Sequence, residues 1–88
     1  MTKDWKVHDE IYTMIWYYDD KLKELKDKRH DLIIELNKLN RMIVDYPTLN
    51  TELETKKENL VEVEEELNLT KSLLRRLRKL TEMYSIQY

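Results

Sequence analysis

The chain has 88 residues, 39% of them charged and 41% hydrophobic, with a net charge of −2. It has no Gly, no Cys and one proline, Pro47. Glycine-dependent phosphate cradles, dinucleotide fingerprints and nucleophile elbows are therefore excluded, as are disulfides, thiol nucleophiles, iron–sulfur sites and Cys-type zinc sites.

In chain order, the first element is a long amphipathic helix, expected over residues 4–45 and capped by Thr2 or Asp4. Its heptad seam runs His8, Ile11, Ile15, Tyr18, Leu22, Leu25, Arg29, Leu32, Leu36, Leu39, Ile43, Tyr46. Spacing that alternates between three and four residues, with apolar or Tyr side chains at nearly every step, marks a coiled-coil helix. The longest mostly apolar run, Ile11 to Tyr18, is too short to span a bilayer and is flanked by Asp9, Glu10, Asp19 and Asp20. With no targeting segment in view, the expected location is cytoplasmic.

The second element is a turn at residues 46–50. Proline disfavours helix both at its own position and at the one before. The seam also resets there: carried through Pro47 its a positions become polar, whereas restarted it reads Leu49, Leu53, Lys56, Leu60, Val63, Leu67, Thr70, Leu74, Leu77, Thr81, Tyr84, Tyr88. The third element is therefore a second helix over 51–85, with Thr51 and Glu54 as a capping box. Near Leu69, Leu73, Leu77 and Leu80 the apolar stripe drifts off the heptad, and a stutter is expected there.

Two long amphipathic helices joined by a short turn pack antiparallel. The expected fold is an all-α antiparallel two-helix coiled-coil hairpin in one domain, 1–88, dimerising into a four-helix bundle. A core this small, with neither disulfide nor metal to reinforce it, favours association. Facing residues have numbers summing to roughly 95 in this hairpin, at about 1.5 Å rise per residue. Lys26, Lys28 and Arg29 then oppose Glu64, Glu65 and Glu66. Asp19 and Asp20 oppose Arg75 and Arg76, Arg41 lies near Glu54, and Lys38 meets Lys56 and Lys57 as the one mismatch.

The hairpin brings both chain ends together, and that open end holds most of the aromatic residues. Trp5, Tyr12, Trp16, Tyr17, Met83, Tyr84 and Tyr88 are the candidate partner-binding residues, with Met14, Tyr18 and Ile86 beside them. From Trp5 to Tyr18 apolar side chains surround the helix, more than one seam of about 100° can bury. Surplus aromatic surface of this kind marks interaction sites. Leu69, Leu73 and Leu80 on the second helix, with Ile33 and Met42 on the first, form a further apolar margin. The expected function is non-enzymatic binding of a protein partner, as a small adaptor, inhibitor or assembly factor.

The alternative is a nucleic-acid-binding regulator using Lys71, Arg75, Arg76 and Lys79, of which Lys71, Arg75 and Lys79 recur every four residues on one face. A structural spacer is the third reading. His30 follows Asp27 at a di-metal half-motif spacing, but both take outward positions and no second copy exists, so neither metal nor cofactor is expected. Leu39 to Tyr46 resembles faintly the second-helix motif of small sporulation phosphatases. Leu36 and Asn40 stand at that motif's Ser and Asp, so its polar groups are missing and its activity is not implied. The lack of Ala and Gly beside abundant Lys, Ile, Asn and Tyr fits an AT-rich coding sequence, such as that of a low-GC bacterium, a phage or mobile element, or an AT-rich eukaryote.

Overall fold

The structure, a computed structural model, describes residues 2–85, with side chains over 9–83. Helix α1 spans Thr2–Met42, a 3-10 turn spans Pro47–Leu49, and helix α2 spans Asn50–Ser85. The two helices lie side by side as an antiparallel hairpin measuring 67 × 15 × 14 Å. Among the described residues no helix is long and apolar enough to cross a membrane.

The long arms follow from composition. Neither helix contains Gly or Pro, so nothing interrupts the i to i−4 ladder. Arg41 Nε donates to the Asn37 carbonyl at 3.3 Å, which places a cation at the negative end of α1. The reversal is made without glycine and, among the described residues, without any positive φ. The Met42 carbonyl accepts from the Asp45 and Tyr46 amides at 3.1 and 2.9 Å. Tyr46, at φ −131° and ψ 77°, leaves helical space as the residue before a proline must. Pro47 then opens the 3-10 turn, a position that asks for no amide donor. The Leu49 amide donates to the Tyr46 carbonyl and the Asn50 amide to the Pro47 carbonyl, which leads directly into α2.

These bonds correct three expectations. The first helix stops at Met42 rather than near 45, because its last carbonyl is consumed by the turn. Tyr46, counted both as the last seam position and as the first residue of the turn, serves only in the turn and is 60% exposed. Thr51 is not the helix cap: α2 already includes Asn50, and the Thr51 carbonyl accepts from Thr55 Oγ1 at 3.0 Å inside the helix.

The expected seam is otherwise the buried stripe. Ile11, Ile15, Leu25, Leu36 and Leu39 of α1 are buried against Leu53, Leu67, Leu74 and Leu77 of α2. Tyr18, Leu22, Arg29, Leu32, Ile43, Leu49, Lys56, Leu60 and Val63 are half-buried between them. With α1 ending at 42 and α2 starting at 50, facing positions have numbers adding to about 92, three fewer than expected because the turn is centred on Tyr46. One cluster, Ile11, Ile15, Leu74 and Leu77, lies toward the open end; another, Leu36, Leu39 and Leu53, lies toward the turn.

No stutter interrupts α2. Buried residues continue at 67, 70, 74, 77 and 81 in strict heptad order, with Thr70 and Thr81 taking the places that a drifting stripe would have vacated. Thr81 can be buried because its hydroxyl donates back to the Arg78 carbonyl at 2.6 Å, which leaves its methyl for the core. Leu69 and Leu80 consequently remain outside the seam.

Candidate functional site

The seam defines two sides of the hairpin. With a and d on the seam, the e and b positions flank it on one side and the g and c positions on the other. Asp19 and Arg78, both e, meet at 3.1 Å and fix one side. Lys28, Glu35, Asn59 and Glu66, all g, line a single groove and fix the opposite side.

This division separates the candidate partner-binding residues. Tyr12 (e) and Trp16 (b) lie one turn apart with ring centroids 6.5 Å apart and tilted by 47°. Trp16 is 66% exposed. A groove lined by Lys71, Arg75, Arg78, Lys79 and Glu82 follows the same side of α2, with Leu22 and Leu74 at its floor. Tyr17 (c) and Met83 (c), 60% and 63% exposed, lie on the other side. There Leu69 and Leu73 line a groove with Tyr18, Lys21, Glu66 and Thr70. Tyr17 also packs edge-on against Tyr18, with centroids 5.0 Å apart. The side chains of Trp5, Tyr84 and Tyr88 lie outside the described residues.

The basic candidates divide in the same way. Lys71, Arg75 and Lys79 share one groove, as their spacing predicts, while Arg76 falls at c on the opposite side. Arg78, not among the candidates, completes the row, and its e position, beside the seam, could have identified it.

The charge pattern across the seam differs from expectation in its partners. Asp19 pairs with Arg78 rather than Arg75 or Arg76, because b and c positions point away from the opposite helix. Lys56 does not confront Lys38; it reaches Glu35 at 2.9 Å. Hydrogen bonding to Glu35, then the attraction of Glu35 and more weakly Glu52, raises the Lys56 pKa above its usual 10.5 against a small opposing desolvation. Glu54 pairs with Lys57 on its own helix at 3.5 Å rather than with Arg41. Lys28 shares a groove with Glu66, and Arg29 shares another with Glu64, but neither pair closes to ion-pair distance among the described residues. Asp27 and His30 are exposed.

The apolar margin expected from Leu69, Leu73, Leu80, Ile33 and Met42 divides. Leu69, Leu73 and Leu80 join Met14, Tyr17 and Met83 on the g and c side of the open end, whereas Ile33 takes an e position on the other side. Met42, Val44 and Tyr46 expose a smaller patch at the turn.

Comparison with models of known protein families, with curated proteins and with solved structures finds no match.

Proposed function

We propose that this chain is a non-enzymatic, cytoplasmic protein-interaction module that self-associates and binds another protein through the open end of its hairpin. It would act as a small adaptor, inhibitor or assembly factor. The amino-acid usage, poor in Gly and Pro, is compatible with a phage or mobile-element source. The observation that carries the reading is the Tyr12–Trp16 pair: two adjacent aromatic rings on a rigid helix, with Trp16 66% exposed, at the end where both helices finish. A soluble helix gains nothing in its own fold from an indole held in water. Trp and Tyr are enriched among the few interface residues whose truncation costs about 2 kcal/mol or more.

Affinity purification of the tagged chain from its native host, followed by binding measurements on the purified partner, tests this. Tyr12→Ala with Trp16→Ala should weaken binding roughly 30-fold or more, the factor that about 2 kcal/mol represents. An unchanged set of captured proteins and unchanged affinity would overturn the proposal.

The groove that gathers Lys71, Arg75, Arg78 and Lys79 favours a second reading, an interface for nucleic acid. Glu82 in the same groove and the Asp19–Arg78 pair reduce its positive potential. A salt series on single-stranded DNA decides it: a steep loss of affinity with salt, abolished in Arg75→Glu/Lys79→Glu, would support nucleic acid, and a flat response would exclude it. The spacer reading predicts instead that changing both arms by one heptad alters function while open-end substitutions do not.

A further inference from the structure

One half of one side gathers six apolar side chains outside the seam, while other exposed apolar side chains, among them Trp16, Ile33, Val44 and Val61, are scattered over the rest of the hairpin. The g and c positions of the open half carry Met14, Tyr17, Leu69, Leu73, Leu80 and Met83, and Leu69 is 71% exposed. The closed half of the same side is a groove with four carboxylates, Asp31, Glu35, Glu62 and Glu66, against only Lys28 and Lys56.

We propose that the apolar half-side is occupied by a second copy of this chain, the two hairpins running antiparallel with only their open halves overlapped. This rests on the interaction-module reading above and adds to it the face, the partner and the orientation.

Area supports a second copy. The six side chains expose at most about 600 Å², taking ~200 Å² as the full area of a large side chain. Covering all of it on two copies removes at most about 1,200 Å², the lower end for a specific interface. The chain exposes 7244 Å², whereas a compact monomer of 10.9 kDa exposes about 5,600 Å². The excess reflects the rod shape, and pairing lowers it.

Charge selects the orientation. Full-length parallel stacking would press one acidic groove onto another, and like charges brought together cost affinity. Antiparallel overlap of the open halves sets the two acidic grooves on opposite sides of the two-fold axis, apart from each other. A two-fold axis near Tyr17 sets Leu69 opposite the partner's Met83, and Leu73 opposite the partner's Leu80. The cations on this half, Lys21 and Arg76, have long stems that can lie along apolar surface with their charged heads in water.

Light scattering and small-angle X-ray scattering on the full chain test the arrangement. At about 100 μM, far above a micromolar dissociation constant, the mass should be twice 10.9 kDa. The longest dimension should be about 90 Å, since an axis near Tyr17 overlaps the 67 Å hairpins by about 30 residues, roughly 45 Å. Leu69→Lys/Met83→Lys should yield the single-chain mass with unchanged helical circular dichroism, while Trp16→Ala stays dimeric. Tyr17→Cys in this cysteine-free chain should oxidise to a covalent dimer, and Glu62→Cys on the acidic half should not. A single-chain mass for the unaltered protein overturns the proposal. So does a dimer near 67 Å long, loss of the dimer in Trp16→Ala, or equal cross-linking at positions 17 and 62. Partner capture through Trp16 is read separately, so failure of either result is distinguishable from failure of the other.

Discussion

Leu67 and Leu69 are two residues apart, yet their side chains have opposite environments: one is 2% exposed and the other 71%. Truncation to alanine should separate them sharply. Leu67→Ala removes the most buried side chain of the seam and loses about 2.4 kcal/mol of transfer free energy, at about 0.8 kcal/mol for each of three carbons. A cavity adds to that loss in a closed core, but a two-helix seam is flanked by solvent on both sides and can partly collapse, so the total should be about 3 kcal/mol, in the lower part of the usual range. Leu69→Ala should cost less than about 0.5 kcal/mol. Urea unfolding followed by circular dichroism, at protein concentrations below self-association, measures both. Equal losses in the two variants, or a loss under about 1 kcal/mol for Leu67→Ala, would refute the heptad register on which every face assignment depends.

Three further outcomes follow from the same geometry. Arg29→Leu places an apolar side chain on a half-buried seam position opposite Val63 and should stabilise the hairpin by about 1 kcal/mol in the same urea assay. Pro47→Ala should retain the hairpin but lose about 0.5–1 kcal/mol, because Pro47 already fits its turn and mainly restricts the unfolded chain. The Glu35–Lys56 pair raises the lysine's folded-state pKa above 10.5, so its contribution is fully present below that value and is lost as pH rises through the folded-state value. The melting difference between the unaltered chain and Glu35→Gln should therefore be constant through neutral pH and vanish at strongly alkaline pH; a difference that persists there contradicts the assignment.

The hairpin was legible because its strongest signals are periodic and local. Strict heptad spacing from Ile11 to Ile43, one proline, and a seam that restarts at Leu49 together define two antiparallel arms. Details of the turn were less legible. Which carbonyl receives the first turn bonds is decided by backbone geometry, so the seam stops short of Tyr46 and α2 starts one residue before the expected cap at Thr51. The apparent stutter near Leu69 arose from counting leucines: a buried threonine reads as polar until its hydroxyl is seen to bond its own helix. Ion pairs were the least legible, because register gives the level of a residue along the hairpin but not its side or its distance from the seam: Arg76 lies on the other side from Arg78, and Arg75 shares that side but sits farther from the opposite helix. The same omission merged two surfaces at the open end. Tyr12 with Trp16, and Tyr17 with Met83, are close in level and on opposite flanks of the seam.

The doubling back of the chain is tested most directly by a distance between its arms. Spin labels at Thr13→Cys and Lys79→Cys, both exposed outward positions in a chain without native cysteine, can be read by pulsed dipolar spectroscopy in samples diluted with unlabelled protein. Adjacent helices about 10 Å apart put the two labels at roughly 20–30 Å. An uninterrupted helix through Pro47 would hold them about 100 Å apart, at ~1.5 Å per residue, and a distribution dominated by such distances would contradict the hairpin.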